Sequence, residues 1–510
     1  MAKIKPNTTT LADRISIRMY CMGTGDCFVI KFLSGDAVKY TMMIDCGSCQ
    51  GTPAEFRPYI QDLDAYVGHH IDLLVVTHEH NDHVNGFAKC ADIFAHKDFT
   101  ISNAWFAWTE NPDDPNGNAK KLIEEREKAK QALNNVIGHL KLTEEERKSN
   151  HEDSAYSSKL NDNDFAFFNG LNTLAEINLS DDESAKGSLP GMTKIKKILK
   201  EKGTNIKYLE PGQTITIDEI PEFRFHILGH PFDRESVYFS KEKQGTDVYK
   251  KNSKLDAFSL STRAYLDLEN ADANTKDLPF DEEYVVVNSA NPVFTTFKNL
   301  QIGAVTNPKY NLSSLYNNTQ EKWRKIDYDW LNTAGALAIR LNSHINNTSL
   351  AIALESTETN KVILLPGDAE FGSWRSWHKI AKWQKTDTQK VGFVEDLLNR
   401  TVFYKVSHHL SYNGTALEQG IAMMTSDELA AMATLDRNRI SIKWKGTMPN
   451  HLLMAELIKK CKGKLFIMDE FEINDGPSKT FNTSLLDKRI YEEGFEDGKL
   501  LFKQYSVNVS

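Results

Sequence analysis

Residues 71–87, Ile-Asp-Leu-Leu-Val-Val-Thr-His-Glu-His-Asn-Asp-His-Val-Asn-Gly-Phe, constrain this chain more than any other stretch. They open with a short apolar run, rich in β-branched residues, that has the length of a buried strand. The run ends at Thr77, and His78, His80, Asp82 and His83 follow within six residues. Residues two apart on an extended or loop backbone point the same way, so His78 and His80 are placed to grip one metal. Asp82 and His83 come after the chain turns and are placed to grip a second. Neutral imidazole and carboxylate are ligands that divalent zinc accepts. A loop just past a strand end is also where α/β proteins place their sites. The plainer reading is a His-rich surface loop, but such a loop needs no buried strand leading into it.

The pattern Thr77-His78-x-His80-x-Asp82-His83-x-x-Gly86 resembles the signature of the metallo-β-lactamase superfamily. Other segments carry the resemblance further. Residues 14–34 read as strand, glycine turn, strand, with Gly23 and Gly25 permitting a tight backbone. Residues 39–47 read as a third strand ending in Ile44-Asp45-Cys46-Gly47. This opening is similar to that of the superfamily fold, and in particular to the hydrolase domain of competence DNA-uptake proteins. Later, the apolar strand at 361–365 ends in Gly367-Asp368. The strand at 401–407 leads into His408-His409-Leu410-Ser411, which resembles the H-H-G-S ending of that subgroup with Leu410 in place of glycine.

The resemblance implies an α/β fold, the αββα metallo-β-lactamase sandwich, holding two divalent metal ions. Zinc is the default, with manganese or iron fitting the same His/Asp set. His78 and His80 would hold the first ion, Asp82, His83 and His409 the second, and Asp368 would bridge the two. The first ion usually takes a third histidine. His230, at a strand end before Pro231, is the candidate, with His226 one strand face away. His408 would face the substrate as acid or oxyanion stabiliser, although the reverse assignment of His408 and His409 stays open. Asp45 would steady a metal-bound histidine, or cap its own strand end, or both. The implied nucleophile is a metal-bridged hydroxide, oriented by Asp82, attacking a phosphoryl or carbonyl centre.

The core pattern covers residues 1–108, 191–231 and 332–510. Between these lie two insertions. Residues 109–190 are polar and charge-dense, with apolar residues at helical intervals, and read as a helical insertion. Residues 232–331 are irregular, with acidic and Asn-rich patches and short strands such as Glu283–Asn288. Within the core, helices are expected at 52–70, 194–203, 374–383 and 451–461. Strands are expected at 101–108, 214–217, 223–228, 332–341, 349–354, 439–444 and 464–468.

Composition bounds the function. Of 510 residues, 40% are hydrophobic and 26% charged, as in an ordinary soluble globular protein. The net charge of −9 argues against a generally basic, DNA-coating surface. Six scattered cysteines (21, 27, 46, 49, 90 and 461) are too few for a disulfide framework. Cys46-Gly-Ser-Cys49 reads as two semi-buried thiols. No run approaches the ~20 apolar residues that cross a bilayer, and the start lacks an apolar signal region. A cytoplasmic protein without a membrane partner is expected.

Three functions fit. The first is a binuclear hydrolase of phosphodiesters, either nucleic acid or a nucleotide-like molecule, supported by the H-H-x-S ending and basic stretches at 194–202 and 375–385. The second is a hydrolase of a lactone, thioester or amide. The third is one subunit of a defence or signalling complex, with the insertions binding a partner protein or a second copy.

Overall fold

The computed structural model describes residues 11–149, 178, 190–232, 234–237, 338, 341–385, 390–440, 448–468 and 490–510. The chain divides into two compact units: Met1–Glu124, Glu176–Gly245 and Asn342–Ser510 form one, and Glu125–Ala175 with Thr246–Leu341 the other. All the strands described below lie in the first.

The first half supplies β1 (Arg14–Tyr20), β2 (Phe28–Ser34), β3 (Ala37–Ile44), α1 (Pro53–Val67), β4 (His70–Val76), α2 (Asn81–Lys89), α3 (Ala91–Phe94), β5 (Thr100–Ala107) and α4 (Asn118–Ser149). Then come α5 (Pro190–Lys202), β6 (Asn205–Leu209), β7 (Thr214–Ile215), β8 (Phe223–Ile227) and α6 (Arg234–Val237). The second half supplies β9 (Ile352–Ser356), β10 (Val362–Leu365), α7 (Phe371–Trp377), α8 (Phe393–Asn399), β11 (Thr401–Lys405) and β12 (Ala430–Ala433). It closes with α9 (His451–Cys461), β13 (Leu465–Ile467), β14 (Tyr491–Glu496) and β15 (Lys499–Asn508). Local chemistry sets the ends of these elements. Thr52 and Glu55 form a reciprocal capping box at the start of α1, and Gly68 closes that helix in the left-handed conformation.

Two sheets result. One runs β14-β15-β1-β2-β3-β4-β5-β6, the other β13-β12-β11-β10-β9-β8-β7. In each, a parallel half (β3 to β6; β10 to β13) adjoins an antiparallel half. β4 shows why its sequence is almost wholly apolar. Leu73 and Val75 join the cluster between the sheets, with Met42, Phe225, Ile352 and Phe403. Leu74 and Val76 face the opposite way, onto Ile60 and Leu63 of α1, Val84 and Phe87 of α2 and Ile195 of α5. The second sheet is covered likewise by Trp374 and Trp377 of α7, Leu397 of α8 and Leu457 of α9. Helix, sheet, sheet and helix layers make an αββα sandwich of the metallo-β-lactamase type, and among the described residues the first insertion is represented by the long helix α4.

Some expected elements differ. Residues 332–341 read as a strand, but Ala338 and residues 341–346 are helical. Ala338, Leu341 and Ile345 are all buried, the i, i+3, i+7 spacing of a helix face that a short apolar run hides. Arg439 and Ile440, the start of another expected strand, form a turn, and residues 441–447 lie outside the described residues. So do Glu283–Asn288 and most of residues 232–331. Two further elements had weak signals. β12, Ala-Ala-Met-Ala, lacks the β-branched residues that mark strands, and the β14–β15 hairpin pairs onto β1 from the far end of the chain.

Candidate metal centre

The site lies at the carboxyl ends of parallel strands in both sheets. Asp45 follows β3, His78 and His80 follow β4, Asp368 follows β10, His409 follows β11 and Thr434 follows β12. His80 is the N-cap of α2, and Asp82 sits in that helix's first turn, where a carboxylate is favoured by the helix dipole. Two glycines let this turn pack tightly. A Cβ on Gly25, whose φ is +145°, would come 2.5 Å from the carbonyl oxygen of Asp82, and one on Gly47 would come 2.5 Å from its carbonyl carbon. Backbone hydrogen bonds from Asp26 N to Asp82 O (3.0 Å) and from Cys46 N to His83 O (2.7 Å) complete the seam.

Asp82, His83, Asp368 and His409, all buried, place one ligand atom each within 4.8 Å of the others. His409 Nε2 lies 3.2 Å from Asp82 Oδ2 and 3.1 Å from Asp368 Oδ2. His83 Nε2 lies 3.1 Å from the same Asp368 oxygen. Beside this quartet, His78 Nε2 and His80 Nδ1 face each other at 3.1 Å. Six of the seven expected ligands are thus at the strand ends as a pair and a quartet. His230 is buried, edge-on to Trp108. Among the described residues no donor group of three that includes it has its atoms within 4.8 Å of one another.

The outer nitrogens of these histidines are held by oxygens. Thr77 Oγ1 lies 3.0 Å from His78 Nδ1, and Asp45 Oδ2 lies 2.8 Å from His83 Nδ1. Thr434 Oγ1 lies 2.8 Å from His409 Nδ1, and that hydroxyl donates to Asp26 Oδ1 at 2.7 Å. Such outer partners fix which nitrogen of a ligating histidine faces inward. Thr77 also donates to Asp45, by its hydroxyl to Oδ2 (2.5 Å) and its amide to Oδ1 (2.7 Å).

Lys405, Asp26 and Glu370 had not stood out in the sequence as site residues. Lys405 is buried, ion-paired to Asp26, and donates to Asp368 Oδ1 at 3.0 Å. The His408 amide donates to the same oxygen at 3.1 Å, so Asp368 keeps Oδ2 for the quartet. The signal for Lys405 was a charge inside the apolar run Val402-Phe-Tyr-Lys-Val406. His408 stands outside the quartet and is partly exposed. Its Nδ1 lies 3.1 Å from Asn413 Oδ1 and 3.6 Å from Glu370 Oε1, and its Nε2 lies 3.3 Å from Asn346 Nδ2. Cys49 Sγ lies 3.6 Å from Asp82 Oδ2, while Cys46 is fully buried.

Burial and neighbouring charges act against each other on the quartet's histidines. Burial disfavours charge on His83 and His409, but the surrounding carboxylates, Asp368 first, outweigh it. They hold His83 well above the ordinary range and raise His409 to about 9. Burial lowers His80 to about 4 and holds His78 well below the ordinary histidine range, helped by the neighbouring imidazoles. Burial would raise Asp82 and Asp368, yet His83, His409 and, for Asp368, Lys405 hold both below the usual carboxylate range. The donor set suits divalent cations. Asp82 Oδ1 is buried without a hydrogen-bond partner among the described residues, a cost of about 1–3 kcal/mol that a bound cation would remove.

The family model described as the metallo-β-lactamase superfamily matches residues 23–160, so this part of the chain is similar to that superfamily, which consists mostly of metal-dependent hydrolases. No curated protein and no solved structure gives a significant match to the chain.

Proposed function

We propose that this protein is a binuclear metal-dependent hydrolase whose substrate is a phosphodiester, in nucleic acid or a nucleotide-like molecule. The observation that carries this reading is the convergence of Asp82, His83, Asp368 and His409 beside the facing nitrogens of His78 and His80. His78 and His80 would hold one ion, and Asp82, His83, Asp368 and His409 the other. Bound there, divalent ions supply Lewis acidity and lower the pKa of water from 15.7 toward about 7.

The chain's own groups do the rest. Asp82 orients the attacking water. Lys405 and the His408 amide keep the Asp368 carboxylate turned. His408, outside the quartet and partly exposed, donates a proton or a hydrogen bond to the leaving oxygen. A phosphodiester is favoured by that histidine and by the resemblance of the His408-His409-x-Ser411 ending to the DNA-uptake hydrolases. The basic stretch at 194–202 adds less support than its sequence implies, because Lys196 is tied to Glu110 and Lys202 to the carbonyls of His96 and Phe99.

The test is hydrolysis of bis-p-nitrophenyl phosphate, and then of single- and double-stranded DNA and RNA, by protein loaded with zinc or manganese. Wild type turns these over, and His408→Ala keeps its metal while losing about 10²–10⁴ in rate. Turnover of a lactone or thioester without any phosphodiester hydrolysis would replace this reading with a carboxylic-substrate hydrolase.

A further inference from the structure

Three of the four inward-facing histidines are held by groups at strand ends: His78 by Thr77, His83 by Asp45 and His409 by Thr434. The fourth is held differently. His80 Nε2 lies 3.1 Å from Oδ1 of Asn178, a fully buried side chain from the region read in the sequence as an insertion. Asn178 Nδ2 donates to Asn342 Oδ1 at 3.3 Å, which turns the amide so that its oxygen faces His80. An amide oxygen only accepts, so the imidazole proton sits on Nε2 and Nδ1 is left with a lone pair.

His78 reaches the same state by another route. The Thr77 hydroxyl gives its proton to Asp45 and therefore accepts from His78 Nδ1 at 3.0 Å, closer than Ser349 Oγ, which lies 3.3 Å from the same nitrogen. His78 Nε2 is then also a lone pair. With these tautomers two acceptors face each other at 3.1 Å, an arrangement that a cation between them stabilises.

We propose that Asn178 is a positioning residue of the metal centre, fixing His80 with Nδ1 inward as a ligand for the first ion. This rests on the metal reading above, and it makes Asn178 itself part of the centre. The amide acts through His80 and touches neither ion nor substrate.

Metal affinity tests it without turnover. Zinc would be titrated against a chromophoric chelator into metal-free wild type, Asn178→Leu and Asn178→Asp. Wild type binds two ions. Asn178→Leu weakens one of them about 10–100-fold, the usual effect of removing such an outer partner, and leaves the other unchanged. Asn178→Asp, which keeps an acceptor, stays within a few-fold of wild type. Equal affinities in wild type and Asn178→Leu would overturn the proposal. A wild type that takes up no zinc would overturn the metal reading instead, and the two failures show in different proteins. Should Asn178→Leu fail to fold, long-range ¹H–¹⁵N correlations of the metal-free wild type report the His80 tautomer directly. A proton on Nε2 is expected, and a proton on Nδ1 would overturn the assignment.

Discussion

The hydroxyl proton of Thr77 goes to Asp45 Oδ2, and that choice sets the tautomer of His78 while the same Asp45 oxygen sets that of His83. One buried carboxylate thus orients a histidine of the pair and one of the quartet. Asp45→Asn should weaken zinc binding about 10–100-fold, read by chelator competition, and unchanged affinity would remove Asp45 from the centre. Protonation gives a second prediction at this scale. In the metal-free protein His409 is raised from 6.5 to about 9. A raised histidine contributes stability that is full below pH 6.5 and is lost as pH rises through about 9. Zinc needs the unprotonated ring. Zinc affinity should therefore climb with pH and level off above about 9, while metal-free stability falls over the same window. Calorimetry in buffers of different ionisation enthalpy should show protons released on binding, and a pH-independent affinity would contradict this.

The turn after β11 carries His408, His409 and Leu410 in left-handed conformation, at φ 48°, 49° and 65°. Glycine would adopt such angles without penalty. Leucine costs about 1–2 kcal/mol there, but Leu410 is fully buried in the cluster under the second sheet. Removing a buried leucine side chain costs about 2–5 kcal/mol, so burial wins. Leu410→Gly should destabilise the metal-free protein by up to about 4 kcal/mol in urea unfolding, the difference between those two effects. Equal or greater stability would show that strain dominates. The turn before α2 responds differently. Gly47 abuts the Asp82–His83 backbone, and Gly47→Ala should displace that turn and lower metal content even where the fold survives. Full zinc occupancy in Gly47→Ala would contradict this.

At the scale of the molecule, the parts legible in the sequence were those whose chemistry is local. His78, His80, Asp82 and His83 lie within six residues, and an apolar strand announces them. Asp368 and His409 could be read because each follows an apolar strand directly. What escaped depends on long-range contact. Asn178 reaches His80 from 98 positions away and Lys405 reaches Asp368 from 37, and no periodicity encodes either. β12 escaped because alanine carries little strand preference, and the helix at 341–346 because an apolar run fits both elements. The sandwich explains why these distant groups meet. Both sheets end their parallel strands at one edge, so residues spread from position 26 to 434 line a single centre.

The central claim is that this centre holds two divalent ions. The most direct measurement is elemental analysis of protein reconstituted with zinc and dialysed free of excess, for wild type and the Asp82→Ala/His83→Ala double variant. Two ions per chain in wild type, with the quartet's ion lost in the variant, is the predicted result. No retained metal in wild type, or equal content in both proteins, would contradict it.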